Sequence, residues 1–261
     1  MSSMEVSLLE SHHGENNRKV AIVTGGTRGI GRAITLMLAR TGCRVYAIYA
    51  RNRQAAESLT SESMCNGLDI RCIRADLTDT EAFSSCLNTI TSETAHIDII
   101  VHSAASGVHR PAPELTRKQL AWTFEINVFT IQKMLVELLP LMPSGGRLIG
   151  ITSGGATHTM PSYGAVGASK GALDALFRHH ALDLAPRGVS VNLVCPGMVV
   201  TDAIDAFPAK EERVKEALRR TPSGRLTTPE DVAAIVHFLC SDAAAQVVGQ
   251  TLIVDGGCAL T

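Results

Sequence analysis

Thr24-Gly25-Gly26-Thr27-Arg28-Gly29-Ile30-Gly31 follows a short apolar run, Val20 to Val23, and precedes a helical pattern from Ala33 to Arg40. A buried strand, a glycine turn and a helix in that order make a setting for phosphate. In this reading Gly25 permits the turn, Gly29 lets backbone approach a pyrophosphate, and Gly31 allows helix and strand to pack closely. The free N–H groups at the start of the helix face the anion. An ordinary tight turn has the same composition, so the loop takes its meaning from its place after the first strand.

Working outward, apolar runs alternate with helical patterns along the chain. Strands are expected at Arg44 to Tyr49, Ile70 to Ala75, Ile97 to Val101, Arg147 to Thr152, Val189 to Val194 and Thr251 to Val254. Helices are expected at Gln54 to Cys65, Thr80 to Ala95, Thr116 to Leu139, Ser162 to Leu184, Ala209 to Arg220 and Pro229 to Leu239. The pattern predicts an α/β fold, a single doubly wound Rossmann domain over 19–261 with about seven parallel strands and helices on both faces. Met1 to Arg18 is polar and reads as a disordered extension, because Ser7-Leu8-Leu9 is too short for a signal-peptide core.

Composition excludes several function classes. The chain has 261 residues, 45% hydrophobic and 19% charged, with 24 basic and 25 acidic residues. It has no basic field for nucleic acid and no apolar run long enough to span a bilayer. Seven scattered cysteines without metal-ligand spacing read as reduced thiols in a cytoplasmic protein, with no metal site.

The second strand ends in Tyr49-Ala50-Arg51-Asn52-Arg53. A carboxylate is usual there when a ribose 2′-hydroxyl is to be bound. Two arginines, with Arg28 in the glycine loop, suit a 2′-phosphate instead, which points to NADPH over a merely solvated basic turn. Asp76 is placed either to accept from an adenine amino group or to cap the next helix. His102-Ser103-Ala104-Ala105-Ser106-Gly107 offers small residues over which a nucleotide passes, with His102 read as a packed residue rather than a base. Asn127 sits mid-helix, a poor place for a short amide, where it holds a bulged turn or a water or is simply exposed.

The chemistry centres on Ser162-Tyr163-Gly164-Ala165-Val166-Gly167-Ala168-Ser169-Lys170, which follows a strand ending at Ser153. Seven residues is almost two helical turns, so Tyr163 and Lys170 are expected on one helix face. An ammonium beside a phenol favours phenolate and is expected to lower the tyrosine pKa. Pro161 and Gly164 leave Tyr163 at the very edge of the helix. The turn from Cys195 to Asp202 is shaped to fold over a nicotinamide. The proline-bounded helix from Ala209 to Arg220 reads as a lid over a substrate pocket, with Ile204, Phe207 and Leu218 as its apolar residues.

Taken together, the TGGTRGIG loop, Asp76, the HSAAS turn, Asn127, Ser153, the Tyr/Lys helix, Cys195-Pro196-Gly197 with Thr201, and the stretch from Gln250 to Gly257 resemble the classical short-chain dehydrogenase/reductase family over about residues 19 to 260. The resemblance implies a nicotinamide cofactor and a homotetramer or homodimer. It implies cofactor contacts from Gly25, Thr27, Arg28, Gly29, Ile30, Gly31, Tyr49, Arg51, Asp76, Leu77, Ser103, Ala104, Ala105, Lys170, Pro196, Gly197, Val199 and Thr201. Tyr163, Lys170, Ser153 and Asn127 are the implied catalytic set. Ser153 either polarises the substrate or supports its loop.

The family's Tyr-x3-Lys is absent, because Val166 occupies the usual tyrosine position. Ser153 keeps its usual spacing of thirteen residues from Val166, so the frame is intact and the tyrosine has moved to Tyr163. That shift resembles the enoyl-thioester reductases, with closest likeness to enoyl-acyl-carrier-protein reductase III and related enoyl-CoA reductases. The expected substrate is therefore an acyl thioester, on coenzyme A or an acyl carrier protein. The rival expectations are a 3-oxoacyl or other ketone reductase, and a nucleotide-binding subunit without turnover.

Overall fold

The computed structural model describes residues 18–201 and 210–261. Seven parallel strands form one sheet: β1 Val20–Thr24, β2 Arg44–Tyr49, β3 Ile70–Arg74, β4 Ile99–His102, β5 Arg147–Ile151, β6 Ser190–Pro196 and β7 Thr251–Val254. Their order across the sheet is β3-β2-β1-β4-β5-β6-β7. Every pair is parallel, so each strand must be followed by a crossover, and helices cover both faces.

The helices are α1 Gly29–Arg40, α2 Arg53–Cys65, α3 Thr80–Glu93, α4 Arg117–Phe124, α5 Thr130–Leu138, α6 Gly164–Leu184, α7 Lys210–Arg220 and α8 Pro229–Leu239. Alternation along the strands sorts their side chains into two cores. Val20 and Ile22 pack with Phe83 and Leu87 of α3, Met134 and Leu138 of α5, and Leu173 and Phe177 of α6. Ala21 and Val23 pack on the opposite face with Ile34 and Leu38 of α1, Leu59 of α2, and Val232 and Val236 of α8. Each fully buried aliphatic side chain contributes about 1.5–3 kcal/mol relative to exposure.

Strand order reverses between β1 and β4, where the chain leaves for opposite edges of the sheet. Such a switch point opens a crevice at the carboxyl ends of the strands. The carboxyl ends here carry the glycine loop, the HSAAS turn and Ser153. Thr24 and His102 are register partners across the switch.

Most expected elements fall within a residue or two of their boundaries. Two differ in a way that matters. The helix expected at Thr116 to Leu139 is two helices joined by a π-helical turn, Glu125–Phe129, with Asn127 at its centre. The helix expected from Ser162 begins instead at Gly164, and Tyr163 is its N-cap residue at φ −109°, ψ 7°. Ser162, at φ +59°, turns the chain immediately before it. Residues 1–17 and the segment carrying Ile204, Phe207 and Pro208 lie outside the described residues. Arg18, expected in the N-terminal tail, donates to Asp69 across 2.9 Å.

Candidate active site

The crevice is a cavity of about 1290 Å³ running from Arg51 and Asp76 at one end to Ser153, Tyr163 and Lys170 at the other. Its volume exceeds the usual range for one small ligand, as a nucleotide with a second substrate requires. All the residues expected to contact a cofactor line it, from Gly25 to Thr201. Asn127 does not: it is fully buried behind the wall, while its neighbour Ile126 reaches the cavity.

At the nucleotide end the glycine loop is fixed by steric need. Gly25 and Gly29 have φ of +66° and +52°, a left-handed backbone that side chains disfavour. A Cβ on Gly31 would lie 2.1 Å from the carbonyl oxygen of Gly25, so the helix packs on the loop itself rather than on the strand. Arg28, the N-cap of α1, makes no side-chain cap hydrogen bond, and the helix runs twelve residues. Its first N–H groups therefore open toward the cavity, a fit for a pyrophosphate.

The cap reading of Asp76 gives way to Asp79, whose carboxylate accepts from the N–H groups of Glu81 and Ala82 at the start of α3. Asp76 instead accepts from the Thr78 N–H and hydroxyl, at 3.0 and 2.8 Å. Those bonds, assisted by the charge of Arg51, hold its carboxyl below the ordinary range. The exposed Arg28 and Arg51 stand at the same end of the cavity and suit a phosphate on the adenine ribose.

The middle of the site is a buried polar chain. The backbone N–H of Ala104 donates to Thr24 Oγ1 at 3.0 Å, and Thr24 Oγ1 lies 3.0 Å from His102 Nδ1. His102 Nε2 lies 3.2 Å from the Asn127 carbonyl oxygen. A carbonyl only accepts, so Nε2 carries the proton and Nδ1 accepts from the threonine hydroxyl. Burial and the nearby Lys170 push the imidazole down to about 3. His102 is thus a neutral structural link, as its reading as a packed residue anticipates.

The Asn127 side chain completes the link. Its amide nitrogen donates to the Ser106 carbonyl and to Ser169 Oγ, each at 2.9 Å, and its oxygen accepts from the Ser106 N–H at 3.0 Å. The π turn faces this amide inward, where the HSAAS loop needs it.

At the far end, Tyr163 Oη lies 3.3 Å from Ser153 Oγ, which also accepts from the Gly155 N–H at 3.2 Å. Lys170 is buried, and its ammonium donates to the Ile151 carbonyl at 2.7 Å. Burial pulls its pKa down to about 8, against the raising effect of Asp174. Tyr163 corrects the sequence expectation. Its pKa is raised, because burial outweighs the hydrogen bond with Ser153. Nor do Tyr163 and Lys170 share a regular helix face, since Tyr163 stands before the first helical residue.

The vacated tyrosine position is filled. Val166 is buried, and a Cβ on Gly107 would meet its Cγ2 at 2.1 Å. The Tyr163 ring lies close to the Gly155 backbone, where a Cβ would come within 2.5 Å of its Cδ1 and Cε1. The His109 ring stacks on Tyr163 at 5.8 Å with an interplanar angle of 26°. Sequence reading missed His109, Thr24 and Asp174. The i, i+4 relation of Asp174 to Lys170 was the one local signal for any of them.

Comparison with known proteins agrees with this geometry. Residues 25–259 match the model of the family described as Enoyl-(Acyl carrier protein) reductase. The chain belongs to the short-chain dehydrogenase/reductase family. It is 30% identical to the 1-cyclohexenylcarbonyl-CoA reductase of Streptomyces collinus, over 93% of this chain and 87% of that protein. It is 34% identical to a 3-oxoacyl-[acyl-carrier-protein] reductase of a Synechocystis species, over 92% of this chain and 96% of that one. A solved structure of a substituted actinorhodin polyketide ketoreductase with NADPH superimposes with a TM-score of 0.85 at 26% identity, covering 93% of this chain and 98% of that one. The protein is an oxidoreductase of this family with a nicotinamide cofactor site.

Proposed function

We propose that the protein is an NADPH-dependent reductase of the 2,3 double bond of enoyl thioesters. The observation that carries this reading is the displaced tyrosine. Of three tyrosines in the chain, Tyr46 is buried on β2 against Glu93 and Tyr49 stands at the nucleotide end. Tyr163 alone of the three brings a hydroxyl to Ser153, from three residues before the usual position.

In ketone reduction the proton is needed on the oxygen of the carbon that receives hydride. In enoyl-thioester reduction hydride reaches C3 while negative charge develops on the thioester oxygen, two carbons away. A donor for that oxygen stands further along the substrate, and Tyr163 precedes the usual position by three residues, at the N-cap of α6. Tyr163 donates to the thioester oxygen and stabilises the enolate as an oxyanion hole does. The raised pKa suits this role, because it keeps the phenol protonated as a donor at neutral pH. Ser153 orients the phenol. Lys170 holds the nicotinamide ribose hydroxyls and lends positive charge. C2 then takes its proton from water or Tyr163. The cofactor, when bound, supplies the hydride and leaves oxidised; Arg28 and Arg51 favour its phosphorylated form.

The same 3.3 Å contact between Tyr163 and Ser153 favours a second reading, reduction of a 3-oxoacyl thioester, the substrate class in the name of the Synechocystis relative. Both readings place an acyl thioester in the site, on coenzyme A or an acyl carrier protein, in a homotetramer or homodimer. Exposed Val136 and Leu182 are available for such self-association.

The test follows NADPH absorbance with crotonyl and acetoacetyl thioesters, using wild type and Tyr163→Phe. The expected result is oxidation with crotonyl thioester, lowered about 10²–10³-fold in kcat by the substitution. Oxidation with acetoacetyl thioester alone establishes the ketone reading. NADPH binding without turnover of either substrate overturns both.

A further inference from the structure

Asp174 is a buried carboxylate that the proposed chemistry does not use. It lies one helical turn beyond Lys170 on α6 and is 7% exposed. Its Oδ1 accepts from the hydroxyl of Thr152, the residue between the end of β5 and Ser153. Thr152 is itself held by its backbone N–H, which donates to Val194 of β6 at 2.9 Å. A carboxylate in such a place costs several kcal/mol to desolvate unless charge and hydrogen bonds compensate it.

We propose that Asp174 is a positioning residue for Lys170: oriented by Thr152, its carboxylate keeps the buried side chain in the ammonium form through neutral pH. Lys170 lines the cavity and its Nζ donates to the Ile151 carbonyl at 2.7 Å, while the carboxylate acts on it from one helical turn away.

The surroundings allow this assignment. Burial raises the Asp174 carboxyl above its ordinary range, against the Thr152 hydrogen bond and the charges of Arg178 and Lys170 on its own helix, which favour its charged form. From β5 it meets Thr152, and from β6 it meets Cys195, whose thiol its charge pushes further up. Lys170 faces Asp174 on α6 and, across β4, the neutral His102. Asp174 is the acid among the groups that raise Lys170, against a desolvation that lowers it. Arg178 is the competing owner of the carboxylate's charge, and the experiment separates the two.

The consequence is a direction for pH dependence. An ammonium held to about pH 8 is lost as pH rises through that value. Without the Asp174 charge, the loss moves to lower pH. The inference rests on the reading of Lys170 as a cofactor-holding group, but its test does not need turnover.

The six lysines of the chain are followed by carbon-13 NMR of their side chains across pH 6 to 11, with Lys170→Met assigning the signal. The wild-type midpoint for Lys170 is expected near 8. Asp174→Asn should lower it by about one pH unit. Thr152→Val, which keeps the carboxylate but removes its donor, should lower it less. The alkaline fall in activity with the turned-over thioester should follow the same order. An unchanged midpoint in both variants overturns the proposal and gives the Asp174 charge to Arg178. Failure of the enoyl reading, in contrast, appears as silence with crotonyl thioester and leaves these midpoints in place.

Discussion

The two ends of the cavity are built on different principles. The nucleotide end is held by backbone: positive φ at Gly25 and Gly29, and a contact at Gly31 that no side chain can enter. The substrate end is held by side chains, with the Tyr163 ring between His109 and the Gly155 backbone, and Val166 pressed against Gly107. A backbone-built site has one solution, and it tolerates little change. A side-chain-built site can carry its tyrosine three residues earlier while Ser153 and Lys170 keep their spacing from Val166. On the proposed enoyl reading, the contrast lets the tyrosine change place without disturbing the nucleotide end.

Three substitutions probe that contrast. Gly31→Ala should have the largest effect. Its Cβ would sit 2.1 Å from a carbonyl oxygen that cannot turn aside, so helix and loop must separate. A destabilisation of about 3 kcal/mol is expected in urea unfolding, with NADPH affinity reduced about tenfold or more. Wild-type stability and affinity in this variant would break the comparison at its nucleotide end.

Gly155→Ala should act more narrowly. The added carbon lies 2.5 Å from two atoms of the Tyr163 ring, which also stacks on His109. A fall in kcat/KM of about 10- to 100-fold is expected, as for a donor displaced by about 1 Å, with NADPH affinity within threefold of wild type. Loss of NADPH binding would show that the two ends are not separately built.

His102→Asn tests the link between them through pH. The folded-state pKa near 3 lies below the ordinary 6.5 of the imidazole. Between those values the unfolded chain binds more protons, so native stability is present above about 6.5 and is lost as pH falls. Replacing His102 should flatten that acid-side loss by about 1 kcal/mol per pH unit between pH 6 and 4, read by urea midpoints at each pH. An unaltered slope would mean that His102 titrates normally and that the chain from Thr24 to Asn127 is not closed.

What was legible in the sequence follows the same division. The strands and the glycine loop could be read because apolar periodicity and steric need are local. The displaced tyrosine could be read because a fixed spacing from Ser153 exposed the gap at Val166. The bulged turn at Asn127 was legible as a helical position that suits an amide badly. The direction of the Tyr163 pKa was not, because spacing gives the distance to an ammonium but not the depth of burial. His109 and Thr24 meet their partners 54 and 78 residues away in the chain, and no local pattern announces such a meeting.

The π turn at Glu125–Phe129 has a consequence for how this site can change. A π turn holds one residue more than the helix around it needs. Deleting one of its residues other than Asn127 is expected to restore a regular helix. It would also rotate α4 against α5 by about 100°. Asn127 would swing away from Ser106 and Ser169, and the HSAAS loop would lose its anchor. The local gain in helix regularity is thus opposed by the core packing of α5 and by the three hydrogen bonds of the Asn127 side chain. The extra residue in this one turn is a local irregularity that sets where the HSAAS loop is anchored.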